Sequence, residues 1–349
     1  MNFLTEKAAA LTPYVAGIQP TEPGWIKLNT NENPYPPSPK VAEAVANFTI
    51  DNLRLYPDGD SALLKNAVAA RYGLSPENVF CGNGSDEVLA LCYQAFYSGK
   101  TVLTPDISYG FYPVWAGMYN VTTKEIPVDE NFAISPDDYI GESGVIIANP
   151  NAPTSRALTL TQIEEIVKAN PQSVVLIDEA YIDFSTEESA VLLVKKYENL
   201  CVVQTFSKSY SLAGMRVGFA VAGSHIIDGL NRCKNAFNSY PLDALAQVAA
   251  SAAISDIAYW DKLCQTVMAT REKACAALRS MGHHVLPSHT NFLFVKPHPS
   301  KTAHGWYQHL VEKKILVRYW EKPRISEFLR ITIGTDKEME ALLACMKPQ

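Results

Sequence analysis

The sequence predicts an α/β fold: a large part built on a mostly parallel central sheet flanked by helices, followed by a smaller α+β part. Three observations predict it. Short β-branched runs alternate with helical segments from about residue 60 to residue 222, the pattern of a sheet covered on both faces. After about residue 241 the alternation gives way to a long alanine-rich stretch and then to a few strands and helices. The length, 349 residues, suits about two domains at roughly 150 residues each.

Residues 1–40 are rich in Pro, Asn and Tyr and read as an extended arm, because Asn31-Glu32-Asn33-Pro34-Tyr35-Pro36-Pro37 is too proline-dense for a helix. A helix is expected over 60–72, capped by Asp60 or Ser61. Strands follow at 79–81, 101–104, 121–126, 144–148, 174–177, 200–204 and 217–222. Helices between them are expected at 85–97, 110–118 and 159–169. The stretch 241–280 reads as one or two helices, and the tail as strands near 291–295 and 328–333 with helices at 302–314 and 336–346.

Composition excludes several classes. With 47% hydrophobic and 19% charged residues the chain is not disordered, and a net charge of −6 without basic runs argues against a nucleic-acid partner. No apolar run is long enough for a membrane span, and Met1 to Ala10, carrying Glu6 and Lys7, does not read as a signal peptide. Seven cysteines without a C-x-x-C pair indicate reduced thiols and a cytoplasmic protein. His304 and His309 are five apart, on different faces of a helix, and no metal site is expected.

Ligands of a parallel sheet sit outside the carboxyl ends of its strands, and four such ends carry chemistry. Gly82-Asn83-Gly84-Ser85-Asp86-Glu87 could offer backbone N–H groups to a phosphate, or could be an ordinary turn with Ser85 as N-cap. Asn149-Pro150-Asn151-Ala152-Pro153-Thr154 by itself reads as a proline-rich loop. Ile177-Asp178-Glu179-Ala180-Tyr181 puts an acid at the end of a buried strand, where a carboxylate must be paired or hydrogen-bonded. Thr205-Phe206-Ser207-Lys208 ends an apolar strand in a lysine, with Arg216 eight residues on. Desolvation of that amine lowers its pKa and makes it a nucleophile, while Ser207 and Arg216 suit a phosphate. Together these are the parts of a pyridoxal phosphate site: a lysine for the Schiff base, a carboxylate for the pyridine nitrogen, and an arginine, hydroxyls and a helix start for the phosphate.

The run Ser207-Lys208-(x)7-Arg216-Val217-Gly218 resembles the lysine signature of fold-type I pyridoxal-phosphate aminotransferases. Leu11-Thr12-Pro13-Tyr14, Asn31 to Tyr35, Arg54-Leu55-Tyr56-Pro57-Asp58-Gly59, Gly84 to Glu87, Asp178 to Tyr181 and Leu329 to Gly334, in that order, are similar to the histidinol-phosphate aminotransferase family. The resemblance implies that Lys208 binds the cofactor and then serves as base and acid of a 1,3-proton shift. It implies that Asp178 faces the pyridine nitrogen, Tyr181 the ring hydroxyl oxygen, and Tyr109 the ring face. Gly84, the backbone amides of Ser85 and Asp86, Ser207 and Arg216 hold the phosphate. Tyr56 reaches that phosphate from the neighbouring subunit, so a homodimer with shared sites is implied. Tyr14, Asn33, Arg318 and Arg330 are the implied substrate groups, Arg330 for a carboxylate and Arg318 for a phosphate. The N-terminal arm and the C-terminal part then form the small domain together, with a division at 1–45, 46–260 and 261–349.

The chain departs from the family at Ala152, where an asparagine usually contacts the ring hydroxyl oxygen, and at Ser155 and Pro36, where glycines are usual. Asn151 is expected to take over the lost contact. The implied reaction is ping-pong amino transfer between L-histidinol phosphate and 2-oxoglutarate, giving imidazole acetol phosphate and L-glutamate for histidine biosynthesis. Three alternatives share the scaffold: an aromatic aminotransferase, an amino-acid-phosphate decarboxylase and a non-enzymatic cofactor-binding regulator.

Overall fold

The structure, a computed structural model, describes residues 3–15, 17–141 and 143–348. The signal-peptide reading involves Met1 and Asn2, which lie outside these residues. The chain opens with α1 (Glu6–Ala10), β1 (Ile26–Lys27), α2 (Pro39–Ala46) and α3 (Ala62–Tyr72). Then come β2 (Val79–Asn83), α4 (Gly84–Cys92), β3 (Thr101–Pro105), α5 (Tyr112–Tyr119), β4 (Thr122–Ile126), β5 (Gly144–Ala148), α6 (Leu160–Ala169) and β6 (Val175–Asp178). Next are β7 (Leu200–Thr205), β8 (Val217–Ala222), α7 (Ser224–Phe237), α8 (Ala244–Ser255) and α9 (Ile257–Ser280). The tail holds β9 (His284–Val285), β10 (Phe292–Lys296), α10 (Ala303–Glu312), β11 (Ile315–Leu316), β12 (Arg318–Tyr319), β13 (Leu329–Thr332) and α11 (Asp336–Cys345).

The seven-stranded sheet runs β2-β8-β7-β6-β5-β3-β4. It is parallel throughout except for β8, which is antiparallel to both neighbours. The exception follows from chain length. Only residues 206–216 link β7 to β8, too few for a helical crossover, so the strand must return antiparallel. That short return is where Lys208 sits.

Alternate residues of each strand face opposite layers. Val79, Cys81, Val145, Ile147, Val175, Ile177 and Val202 pack with Leu64 and Val68 of α3, Ile163 and Ile166 of α6 and the alanines of α8. Phe80, Ile146, Leu176, Cys201 and Val203 pack with Val88 and Leu89 of α4, Trp115 of α5 and Ile226, Ile227 and Leu230 of α7. Both faces are therefore dry, as the uninterrupted apolar runs require.

The tail forms an antiparallel sheet ordered β12-β13-β10-β9. The arm joins it: β1 pairs in parallel with β11, Thr332 N donates to Leu28 O, and Leu28 is buried among the tail's apolar side chains. No helix among the described residues is long and apolar enough to cross a membrane, and none of their His, Cys, Asp and Glu side chains group as a metal site.

Three local expectations are corrected. Neither Asp60 nor Ser61 caps α3 with its side chain; Ser61 is in the left-handed region, and Asp58 accepts from Ala62 N at 2.8 Å and Asp60 N at 2.9 Å. Ser85 is not an N-cap, because α4 begins one residue earlier, at Gly84, after Asn83. Helices α1, which interrupts the arm expected to be extended, α2 and α7 are additional to those expected from the sequence.

Candidate active site

The turn from β2 to α4 is held against β8 by two glycines. Gly84 has φ +79, and a Cβ there would stand 2.5 Å from Arg216 Nη2. A Cβ on Gly218 would overlap the backbone at Ser85, so only glycine lets β8 approach the helix start. Arg216, itself left-handed at φ 53, points its guanidinium at Ser207 Oγ (3.4 Å), Ala213 O (3.3 Å) and Asp86 Oδ2 (3.2 Å). Gly84, Ser85, Asp86, Ser207 and Arg216 thus converge on one corner. The Asp86 carboxylate is already occupied by Arg216 and by the Tyr109 hydroxyl at 2.9 Å, which leaves its backbone amide for an anion.

Asp178 ends β6, buried, and accepts from Tyr112 Oη at 2.9 Å and from Ala180 N at 3.3 Å. Burial raises it to about 6, against the pull of those two donors. No Lys, Arg or His among the described residues forms an ion pair with it.

Lys208 Nζ donates to Thr30 O at 3.3 Å and lies 5.8 Å from the centre of the Tyr181 ring. Burial first, then the Arg330 guanidinium, lowers the amine to about 8, with Glu32 and Asp86 opposing. The Tyr181 hydroxyl accepts from Asn31 Nδ2 at 3.0 Å, and burial raises its pKa against the influence of Arg330 and that bond. Tyr109 stands edge-on to Tyr112 at 5.6 Å, and burial together with Asp86 raises its hydroxyl as well. Asn33 Nδ2 donates to Lys208 O at 3.1 Å and Ser209 O at 3.4 Å, so the arm clamps the lysine's own backbone.

Asn151 is buried and engaged: its amide donates to Ile107 O (2.8 Å) and Thr154 Oγ1 (3.0 Å), and its oxygen accepts from Ser108 Oγ (2.8 Å). A contact from Asn151 to a ligand would replace one of these bonds.

Arg330 Nη2 donates to Asn29 O at 2.9 Å, and its Nε is buried without a partner among the described residues. Burial lowers Arg330, Tyr181 and Tyr14 oppose that, and Arg318 adds to it. Arg318 Nη2 donates to Val15 O at 3.1 Å, next to Tyr14, whose ring stacks on Phe111 at 4.3 Å. Tyr56 does not join this cluster. It is 82% exposed and stacks on Tyr240 at 4.8 Å. Its loop is fixed from behind by Lys234 Nζ on Gly59 O (2.6 Å) and Gln247 Nε2 on Asp58 O (2.9 Å).

Sequence reasoning missed Tyr112, Asn31 and Thr30 as partners of Asp178, Tyr181 and Lys208. Tyr112 opens α5 and meets Asp178 across 66 residues of sequence, a pairing that leaves no local signal.

The class I and II aminotransferase family model matches residues 23–345. The chain belongs to that family. Among curated aminotransferases, a histidinol-phosphate aminotransferase of Marinomonas sp. (strain MWYL1) is 53% identical, covering 99% of each chain. One of Acinetobacter baumannii (strain SDF) is 52% identical, covering 99% of this chain and 97% of the other. The solved histidinol-phosphate aminotransferase of Sinorhizobium meliloti, in complex with pyridoxal-5'-phosphate, superposes with a TM-score of 0.89 at 22% identity, covering 99% of this chain and 97% of that one. L-threonine-O-3-phosphate decarboxylase of Porphyromonas gingivalis also superposes, at 0.78 and 22% identity over 92% of this chain and 98% of that one. Two chemistries therefore share this fold, and the fold alone does not choose between them.

The residues fit the pyridoxal phosphate that an aminotransferase needs. Asp178 is a buried carboxylate without a cationic side chain, suited to a protonated ring nitrogen. The Gly84–Arg216 corner suits a phosphate, and Lys208 lies close to the Tyr181 ring with Arg330 acting on its charge.

Proposed function

We propose that this chain is a transaminase that moves an amino group between L-histidinol phosphate and 2-oxoglutarate, with pyridoxal phosphate as cofactor, in histidine biosynthesis. The observation that carries the reading is a half-buried, low-pKa Lys208 amine within the electrostatic reach of Asp178, Arg216 and Arg330, in a chain sharing 53% identity over 99% of its length with a histidinol-phosphate aminotransferase. The cofactor, when bound, supplies an electron sink that makes the substrate Cα–H acidic and parks the amino group between half-reactions.

The protein's part is placement and proton handling. Asp178, ionised, keeps a proton on the group facing it. Tyr181 donates to an oxygen at its hydroxyl, with Asn31 fixing its direction. Tyr109 covers one face of the site. Lys208 Nζ accepts and returns the migrating proton, which a pKa near neutrality favours. Arg330 and Arg318 take the anionic ends of the substrates, and Tyr14 covers them from the arm. Asn151 holds the loop that bears Ala152.

The visible absorbance of the purified holoenzyme tests the reading. Histidinol phosphate added without a keto acid is expected to bleach the cofactor band. A band that responds to phenylalanine and ignores histidinol phosphate would instead favour the aromatic reading. The pH dependence of cofactor capture follows from the lowered lysine. Because only the unprotonated amine reacts, the rate of band growth on adding pyridoxal phosphate to the cofactor-free protein should rise with pH and reach half its plateau near 8. A midpoint near 10 would contradict the desolvated amine.

The working unit proposed is a homodimer. Ile50, Leu53, Leu55, Tyr56, Phe237 and Tyr240 are exposed apolar side chains on neighbouring segments of one chain. Sedimentation should give twice 38.4 kDa, and Tyr56→Asp should shift the population toward the single chain. The domain division proposed at 45/46 and 260/261 falls inside α2 and α9, and Trp260 of α9 packs on the apolar clusters of both parts. A cytoplasmic site of action is proposed on the seven cysteines, all free thiols.

A further inference from the structure

Arg318 and Arg330 are directly opposed partners of the antiparallel pair β12–β13. Side chains of such partners leave the sheet on the same face, and like charges placed there repel. Neither guanidinium is in an ion pair with an Asp or Glu among the described residues. Something other than a carboxylate must make the pairing tolerable.

The side chain that meets both is Trp320. Its ring centre lies 5.4 Å from Arg318 Cζ and 5.1 Å from Arg330 Cζ. Phe292 provides a second ring for Arg330, at 5.2 Å. Trp320 is itself anchored. It packs on the apolar cluster of Ile107, Phe294, Ile325 and Phe328, and four residues on, Arg324 ties the same segment down. Arg324 Nη1 donates to Asp106 Oδ2 at 2.7 Å, and its Nη2 donates to Val128 O at 2.7 Å and Asp129 O at 2.9 Å.

We propose that Trp320 is a positioning residue for substrate recognition: its π face stands in for a counter-ion, holding Arg318 and Arg330 at a set spacing while leaving their charge free for substrates with two anionic groups or one doubly charged group. The chemistry separates an aromatic partner from an acidic one. A carboxylate binds a guanidinium edge-on, through the in-plane N–H groups, and so competes with an anionic substrate for the same donors. An aromatic ring attracts the guanidinium through its flat face and leaves the in-plane donors available. Arg330 shows the result: Nη2 is used by Asn29 O, while Nε is buried and unpartnered. The spacing is then set by a rigid ring fixed in an apolar bed, and Trp320 acts through the two arginines.

The inference rests on reading Arg318 and Arg330 as the anion-binding groups, and the experiment separates the two claims. The full-length holoenzyme is titrated with maleate, a dicarboxylate that cannot react, and with inorganic phosphate, by calorimetry. Parent, Trp320→Phe, Trp320→Leu and Arg330→Ala are compared, and KM and kcat for glutamate are measured alongside. Leucine keeps an apolar side chain and removes the π face. Trp320→Leu is expected to weaken maleate and phosphate about tenfold and raise KM to match, with kcat within about twofold. Trp320→Phe is expected to stay within about threefold of the parent. Trp320→Leu binding maleate like the parent, Trp320→Phe as weak as Trp320→Leu, or a fall in kcat at constant KM would each overturn the proposal. Arg330→Ala binding maleate as tightly as the parent would overturn the anion-site reading and the proposal with it. A parent that binds maleate but ignores histidinol phosphate would overturn only the substrate named above, and the Trp320 comparison would still decide the proposal.

Discussion

Replacing Lys208 by alanine is expected to lower transamination at least about 10³-fold, the range of a lost acid–base group, while leaving the cofactor-free protein as stable as the parent or more so. The second half follows from burial. The folded lysine sits at about 8 against an ordinary 10.5, so between those values the unfolded chain binds the extra proton and stability rises with pH. Below pH 8 the folded state carries the whole cost of a desolvated ammonium, on the order of 3 kcal/mol. Alanine removes that cost, and Thr30 O, which accepted from Nζ, is left to find water. Thermal melting of the cofactor-free variant at pH 7 beside its rate measures both effects. A variant that keeps a tenth of the parental rate would remove Lys208 from the chemistry.

Asp178→Asn is expected to cost roughly 10²–10³ in rate, the scale of a lost preorganised charge, and to raise the melting temperature of the cofactor-free protein at pH 8. Here the folded pKa is raised, to about 6 from 3.8. The stability the carboxyl contributes is complete below 3.8 and lost as pH climbs through 6. At pH 8 the folded chain therefore holds an ionised carboxylate whose hydrogen-bond partners, among the described residues, are the Tyr112 hydroxyl and one backbone N–H. Asparagine can still accept from Tyr112 and carries no charge. The parent should lose stability between pH 4 and 6 more steeply than the variant. A lower melting temperature for Asp178→Asn at pH 8, or a parental rate, would mean the carboxylate is held by something other than the reaction's need for it.

Much of this was legible in the sequence because β5, β6 and β7 are buried on both faces. Such strands read as unbroken β-branched runs, their ends are easy to find, and Asp178 and Lys208 stand at two of those ends. What was not legible involves positions whose partners lie far along the chain. In α7 the buried stripe of Ile226, Ile227 and Leu230 is completed by Lys234, a residue that reads as solvent-facing until its ammonium is seen on Gly59 O. Helix α2 is hidden in a proline run, although Ser38 caps it and Pro39 suits its first turn. The face-to-face placement of Arg318 and Arg330 depends on a two-residue strand, too short to leave a periodic signal. Asp58, not its neighbours, accepts from the first amide of α3, while Ser61, left-handed at φ 51, makes no side-chain cap bond.

In the homodimer proposed above, the outward ring of Tyr56, on a loop its own chain pins in place, would let a defect in one chain be felt in the other. Suppose each site takes its lysine from one chain and its tyrosine from the other. A Lys208→Ala chain mixed with a Tyr56→Phe chain would then form hybrid dimers in which one site inherits both faults and the other inherits none. With random pairing, roughly a quarter of all sites would be whole, and two crippled preparations would regain activity on being unfolded and refolded together. In a cell carrying both alleles, the damage would be partly masked.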